Sequence, residues 1–157
     1  MTGISHRDIE KARDALLLQL AAYRKGREHD ITVVFDGYKS GMSTQQASFF
    51  HSIKVIYTRL GERADDVIKK MVSQHRKEWI VITADRDIVD HVWSAGSVPV
   101  PPDRFMAMVE RGNRPAAEEI MPESDEEDDD YGSQDRKGNA YKLSKKEKAL
   151  RRALSKL

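Results

Sequence analysis

The chain has 157 residues, 39% of them hydrophobic and 34% charged, which is room for one domain of ordinary size with a modest core and not for two. It contains no cysteine, which excludes a disulfide framework and a thiolate metal site, and no apolar run near the ~20 residues that a membrane helix needs. Its 27 basic and 26 acidic side chains leave a formal net charge of +1, which on its face argues against a strongly basic nucleic-acid binder.

The first residues lack the apolar stretch of a secretory signal, so a soluble cytoplasmic protein with no membrane partner is expected. Over residues 6–25, Ile9, Ala12, Leu16, Leu20 and Tyr23 recur at helical spacing, and Leu17 and Ala21 widen the stripe. Charged residues fill the other face, which predicts an amphipathic helix stopped by Gly26. Ile31, Thr32, Val33, Val34 and Phe35 are five strand formers in a row. Such a run predicts a strand buried on both faces, as in a parallel sheet, and the turn signal Asp36-Gly37 ends it.

Residues 37–53 lack a clear pattern and read as a loop or a short irregular helix. Residues 54–58 read as a second short strand. Residues 64–75 read as a second helix with Val67, Ile68, Met71 and Val72 on one face. Residues 79–83, apolar throughout, read as a third strand, and residues 87–95 as a third helix burying Ile88, Val89, Val92 and Trp93. Residues 98–100 form a short edge-like strand, because Pro99 cannot donate to a central ladder. A helix over 103–111 follows Pro102. Strands alternating with helices in this way predict an α/β fold with a mainly parallel sheet.

Beyond Arg111 the character changes. Seven of the eight residues 123–130 are acidic, a run that cannot bury itself and is expected to be disordered. Residues 144–157 are basic, yet Leu143, Leu150 and Leu154 share a helical stripe, and Ser144 with Glu147 has capping-box spacing. A helix is expected there when it docks on something. The net charge of +1 therefore averages three unlike parts: 17 basic and 15 acidic residues in 1–112, 1 and 10 in 113–135, 9 and 1 in 136–157. These parts read as a globular domain, an acidic linker and a basic C-terminal tail.

The carboxylates fall in register with the strands. Asp36 ends the first strand, Asp65 and Asp66 open the second helix, Asp85 follows the third strand, and Asp87 begins the helix after it. In a parallel sheet these strand ends form one rim, where ligands bind. Neighbouring carboxylates repel unless a cation joins them, and hard ions such as Mg²⁺ or Mn²⁺ take oxygen ligands. Such ions hold phosphate oxygens and generate hydroxide, which points to phosphodiester hydrolysis. The same residues also suit plain helix capping, Asp87 above all, and first-turn charge. The five histidines show no ligand spacing, and the glycines form no phosphate loop. Trp79 and Trp93 read as core residues.

Several blocks together resemble the NYN domain of the YacP type, a branch of the PIN-like nucleases. They are the helix with Ala12, Arg13, Asp14, Ala15, Leu16 and Leu17 leading to Tyr23, the strand from Ile31 into Asp36-Gly37, and the strand from Val55 to Thr58. They continue with Gly61, Glu62, Arg63, Ala64, Asp65 and Asp66, and with the run from Ile80 to Asp87. The resemblance covers roughly residues 6–111 and implies a three-layer α/β/α fold with Mg²⁺- or Mn²⁺-dependent RNA cleavage. It implies catalytic roles for Asp36, Asp65 and Asp85, with Asp66 and Asp87 as further metal ligands and Thr83 beside the site. One departure stands out. Family members begin with a strand ending in Asp-Gly-Tyr-Asn, whose aspartate is a central ligand, and Gly3, Ile4 and Ser5 cannot supply it. Three explanations are an upstream start, a sheet repaired by re-pairing or a partner strand, and a non-catalytic derivative.

The expected function is thus a metal-dependent endoribonuclease. Arg63 and Arg86 would grip phosphates, and the tail residues Lys142, Lys145, Lys146, Lys148, Arg151 and Arg152 would add affinity for RNA, free or in a ribosome or other ribonucleoprotein. The alternative is a catalytically impaired PIN-like module that binds RNA or a ribonucleoprotein. A different metal-dependent phosphoryl-transfer fold is a third reading, but the chain lacks its other motifs.

Overall fold

The computed structural model describes residues 5–37, 43–75, 77–113 and 144–157. Helix α1 (His6–Arg24) leads to strand β1 (Thr32–Phe35), then β2 (Gln46–Phe50) and β3 (Ile53–Tyr57). Next come α2 (Ala64–Gln74), β4 (Ile80–Ile82), α3 (Arg86–Ser94), β5 (Val98–Val100), α4 (Pro102–Gly112) and α5 (Lys145–Lys156). The α/β reading holds, with mostly parallel pairing: β1 runs parallel to β3, and β4 parallel to β5. No helix among the described residues is long and apolar enough to cross a membrane. The acidic linker and Lys142 lie outside the described residues.

One expectation fails. Within the stretch read as a loop or irregular helix, β2 forms a hairpin with β3, antiparallel, with Phe49 opposite Lys54. His51 and Ser52 take positive φ angles of 44° and 69° between the two strands, the left-handed pair that a tight hairpin turn needs. Four of the five β2 residues are exposed, so the strand buries too little to leave an apolar alternation in the sequence.

Strand alternation sorts the core into two faces. Ile80 and Ile82 of β4 join Val98 and Val100 of β5 and Val33 and Phe35 of β1 in one cluster beneath α1, α4 and α5. Trp79 and Val81 turn the other way, to Val72 of α2 and Ile88 and Val92 of α3. Helix α5 belongs to the first cluster: Ala153 is buried there, with Leu150, Leu154 and Leu157 against it, and the Tyr23 hydroxyl donates to the Leu157 carbonyl. Its start carries the expected capping box, in which the Glu147 amide donates to Ser144 Oγ (3.2 Å) and the Ser144 amide to Glu147 Oε2 (2.7 Å). The helix thus docks on the domain itself, over β5, and that cover leaves β5 fully buried although it pairs on one side only.

The sheet is in two pieces. β1 pairs only with β3, and β4 only with β5, so among the described residues no ladder joins them. Helix α2 spans the break: its first amide meets Asp36 just after β1, and its Lys69 pairs with Asp87 beyond β4. Burial records the gap. The strand expected to be buried on both faces, β1, is only half-buried at all four positions, as is β4 at all three. The apolar stripe of α1 is covered only toward its C-terminal half, where Leu17, Leu20 and Tyr23 are buried, whereas Ala12 is exposed.

Candidate active site at the strand ends

Asp36 leaves β1 into a constrained turn. A Cβ on Gly37 would collide with the Thr58 carbonyl oxygen, so only glycine fits there. The Gly37 amide donates to Thr58 Oγ1 (2.9 Å), which locks the end of β1 to the end of β3. Asp36 is thereby aimed at the next helix, and its Oδ1 accepts the Ala64 amide at 2.7 Å. This caps α2 from 28 residues away, where the local N-cap, Arg63, makes no side-chain cap. Arg13 of α1 reaches the same place: its guanidinium lies 5.1 Å from the centre of the Phe35 ring and donates to the Asp36 carbonyl (3.4 Å). Around Asp36 is an open cavity of ≈ 400 Å³, also lined by His6, Arg13, Glu62 and Arg63.

The second group surrounds α3. Asp85, not Asp87, is the N-cap: its Oδ1 accepts the amides of Asp87 (2.8 Å) and Ile88 (3.2 Å). The expected cap moves because α3 starts at Arg86, one residue early. Thr83 Oγ1 accepts the Asp85 amide (3.1 Å) and so fixes the approach to the cap. Asp36 and Asp85 each engage Oδ1 and leave Oδ2 without a hydrogen bond among the described residues. Asp87 is instead free to pair with Lys69.

Lys69 was not singled out by sequence reasoning. It lies four residues after Asp65 and three after Asp66, on the same face of α2, and that spacing was the available signal. The hydrogen bond to Asp87 raises its pKa, as do the charges of Asp87, Asp66 and Asp65, against partial desolvation. In return Lys69 holds the Asp87 carboxyl below the ordinary aspartate range, with smaller help from His91 and Arg63. Arg63 also pairs with Asp65 (3.1 Å). Arg86, at the start of α3, is exposed. Asp36, Asp65, Asp66 and Asp87 thus form an arc along α2 with Lys69 as its internal counter-charge, and Asp85 continues it at the start of α3.

The Asp87–Lys69 link has a defined pH window. The lowered Asp87 contributes stability that is present above the ordinary aspartate range and lost as pH falls through its depressed pKa. The raised Lys69 contributes stability that is present below the ordinary lysine range and lost as pH rises through its elevated pKa. In a carbon-detected NMR titration Asp87 is expected to protonate below an ordinary aspartate, and Lys69→Met to move its midpoint back up. An unshifted wild-type midpoint rules the pair out in solution.

Oxygen donors suit a hard divalent ion, but their placement does not make a centre. Among the described residues no three His, Cys, Asp or Glu side chains come together closely enough to hold a metal ion. The five carboxylates sit where the sequence puts them, at the strand ends and first helical turns, without closing on one point.

No curated protein and no solved structure matches the chain. The family model for the YacP-like NYN domain matches residues 2–152, through α1 to α4 and into the docked α5. With the strand-end carboxylates, the Gly37 turn and the helices on both faces of β4, that match places the chain in the YacP-like NYN domain family.

Proposed function

We propose that this chain is an endoribonuclease of the PIN-like type that hydrolyses RNA phosphodiester bonds in the presence of Mg²⁺ or Mn²⁺. The family suggests a PIN-like nuclease fold. The observation that carries the reading is the arc of Asp36, Asp65, Asp66, Asp85 and Asp87 over the starts of α2 and α3. Two of its members are held rigidly by capping bonds and keep one oxygen free. Asp36, Asp65 and Asp85 are the residues assigned to catalysis, and Arg63, Arg86 and Thr83 those assigned to binding phosphate.

One observation favours a second reading, a PIN-like RNA-binding module of impaired activity: among the described residues no three carboxylates converge, and Asp87 is already paired with Lys69. Incubating labelled single-stranded and structured RNA with Mn²⁺, for the wild type and for Asp85→Asn, decides between them. Cleavage that disappears in Asp85→Asn supports the enzyme. Binding without cleavage in both proteins supports the module.

Helix α5 adds an electrostatic handle. Its inner face holds Ala153 and the leucines, while Lys145, Lys146, Lys148, Arg151 and Arg152 are exposed. Lys146 also lies 5.5 Å from the centre of the Trp93 ring, and the Trp93 side chain packs on the core. Changing Lys148, Arg151 and Arg152 to Glu leaves the docked face untouched. It is expected to weaken RNA binding and to lower the slope of log affinity against log salt by about 0.7 for each phosphate that is no longer neutralised. An unchanged slope removes α5 from the interface.

A further inference from the structure

Beside α2 lies a second depression, on the sheet face turned away from α1. Its floor is a cross-strand row, Thr32 of β1, Lys54 of β3 and Phe49 of β2, which are direct neighbours in the strand register. Its wall is the second half of α2, including Lys70, and its far end is the connection carrying Lys77 and Trp79. The cavity measures ≈ 450 Å³.

Three features of its chemistry agree. Lys54, Lys70 and Lys77 form no ion pair with a carboxylate among the described residues, and they outnumber the two carboxylates that also line the groove, Asp30 and Glu62. Phe49 is 75% exposed, an aromatic face that the fold itself does not use. Trp79 Nε1 is buried without a hydrogen-bond partner, the only such side-chain donor or acceptor among the described residues, and Lys77 lies 4.2 Å from the centre of its ring. Unpaired cations flanking an exposed aromatic ring are the pattern that binds single strands, with phosphates on the cations and a base on the ring. A duplex keeps its bases stacked inside and cannot offer one to Phe49. An acidic peptide would satisfy the lysines but would leave the ring unused.

The groove also leads somewhere. Glu62 lines both it and the cavity around Asp36, so the two depressions adjoin at the residue two before α2.

We propose that this groove is a track for single-stranded RNA, with Lys54, Lys70 and Lys77 on the phosphates and Phe49 stacking a base, feeding the strand toward the acidic arc. The feeding role rests on the nuclease reading; the binding role does not.

The test measures fluorescence anisotropy of a 12-nucleotide single-stranded RNA, its duplex and a poly-glutamate peptide on the full chain. The variants are Lys54→Ala/Lys70→Ala/Lys77→Ala, Phe49→Ala and Asp85→Asn, each checked for fold by circular dichroism. The triple variant is expected to lose at least tenfold in single-strand affinity and to flatten the salt slope by about 2. Phe49→Ala is expected to lose about tenfold with the slope unchanged, a stacking effect at a position too exposed to unfold the domain. Duplex affinity is expected to stay the same in both.

Single-strand affinity unchanged in the triple variant and in Phe49→Ala overturns the track. So does poly-glutamate bound as tightly as RNA, because the site would then be one for acidic protein. Cleavage by the wild type alongside normal binding and cleavage by the triple variant removes the track and keeps the nuclease. Absence of wild-type cleavage with binding abolished in the triple variant removes the nuclease and keeps the track.

Discussion

Asp85→Asn is expected to abolish RNA cleavage while leaving stability nearly intact, and Asp85→Ala to damage both. The separation follows from the two functions of one side chain. As the N-cap of α3, Asp85 accepts two amides through Oδ1, and asparagine caps as well as aspartate does. The amide variant therefore keeps α3 and the Thr83 turn and changes stability by no more than about 0.5 kcal/mol. What it removes is the negative charge at the arc. The loss of one electrostatic element from an active site lowers turnover by on the order of 10²–10³-fold. Alanine removes cap and charge together and costs about 1 kcal/mol of stability as well. Thermal melts and cleavage rates on the three proteins separate the contributions. If asparagine destabilises as much as alanine, the hydrogen bonds to Asp87 and Ile88 are not the cap described. If asparagine cleaves at the wild-type rate, Asp85 is a cap and nothing more.

The second large effect concerns α5. Ala153→Asp is expected to destabilise the domain by about 3 kcal/mol or more. The residue is 1% exposed and packs into the cluster that also holds Val98, Val100, Leu20 and Tyr23. A carboxylate placed there finds no partner and loses its hydration. Ala153→Ser, which adds a polar atom of similar size, costs less and ranks between the two. The control is Arg152→Asp, one residue away and exposed, where a stability change within about 0.5 kcal/mol is expected. Denaturant midpoints for the four proteins test this. Equal midpoints for Ala153→Asp and Arg152→Asp would mean that α5 is undocked in solution. The result also governs truncation: removing α5 to probe RNA binding takes part of the core with it. Charge reversal on its outer face is the cleaner variant.

Much of this was legible in the sequence, for identifiable reasons. Helices α1 to α3 follow from apolar periodicity, α4 from its place after Pro102, and β1, β3 and β4 from short β-branched runs. All three strands were placed to within two residues at either end. The hairpin strand β2 was not legible, because Gln46, Ala47, Ser48 and Phe49 are all exposed and a strand that buries little writes no pattern. The carboxylates at the strand ends were legible because fold class alone sends strand ends to a common rim. Their partners were not. Asp36 caps a helix 28 residues away, and no local rule connects them. Lys69 was within reach through its spacing from Asp65 and Asp66, but its pairing with Asp87 depends on how α2 and α3 pack. The groove lysines are scattered over β3, α2 and a connection, so only the fold brings them together. The docking of α5 was half visible: its leucine stripe and capping box announced a helix, while its seat on β5 needed the tertiary arrangement.

The break between β1 and β4 bears on how the molecule opens. In a continuous sheet, hydrogen-bond ladders tie every strand to the next, and the whole layer tends to unfold as one unit. Among the described residues the coupling between the two halves runs through packing, of Val33 and Phe35 on one side with Ile80 and Ile82 on the other beneath α1 and α4, and through the contacts of α2 with Asp36 and Asp87. Packing of that kind can be loosened without breaking a single inter-strand bond. Amide hydrogen exchange is therefore expected to resolve two units of unequal protection, one built on β3 with a neighbour on each side and one built on the two short strands under α5. Partial opening between them would separate the ends of β1 and β4, and with them Asp36 and Asp85, which are exposed already. A change in spacing at that seam is thus a change in the spacing of the acidic arc.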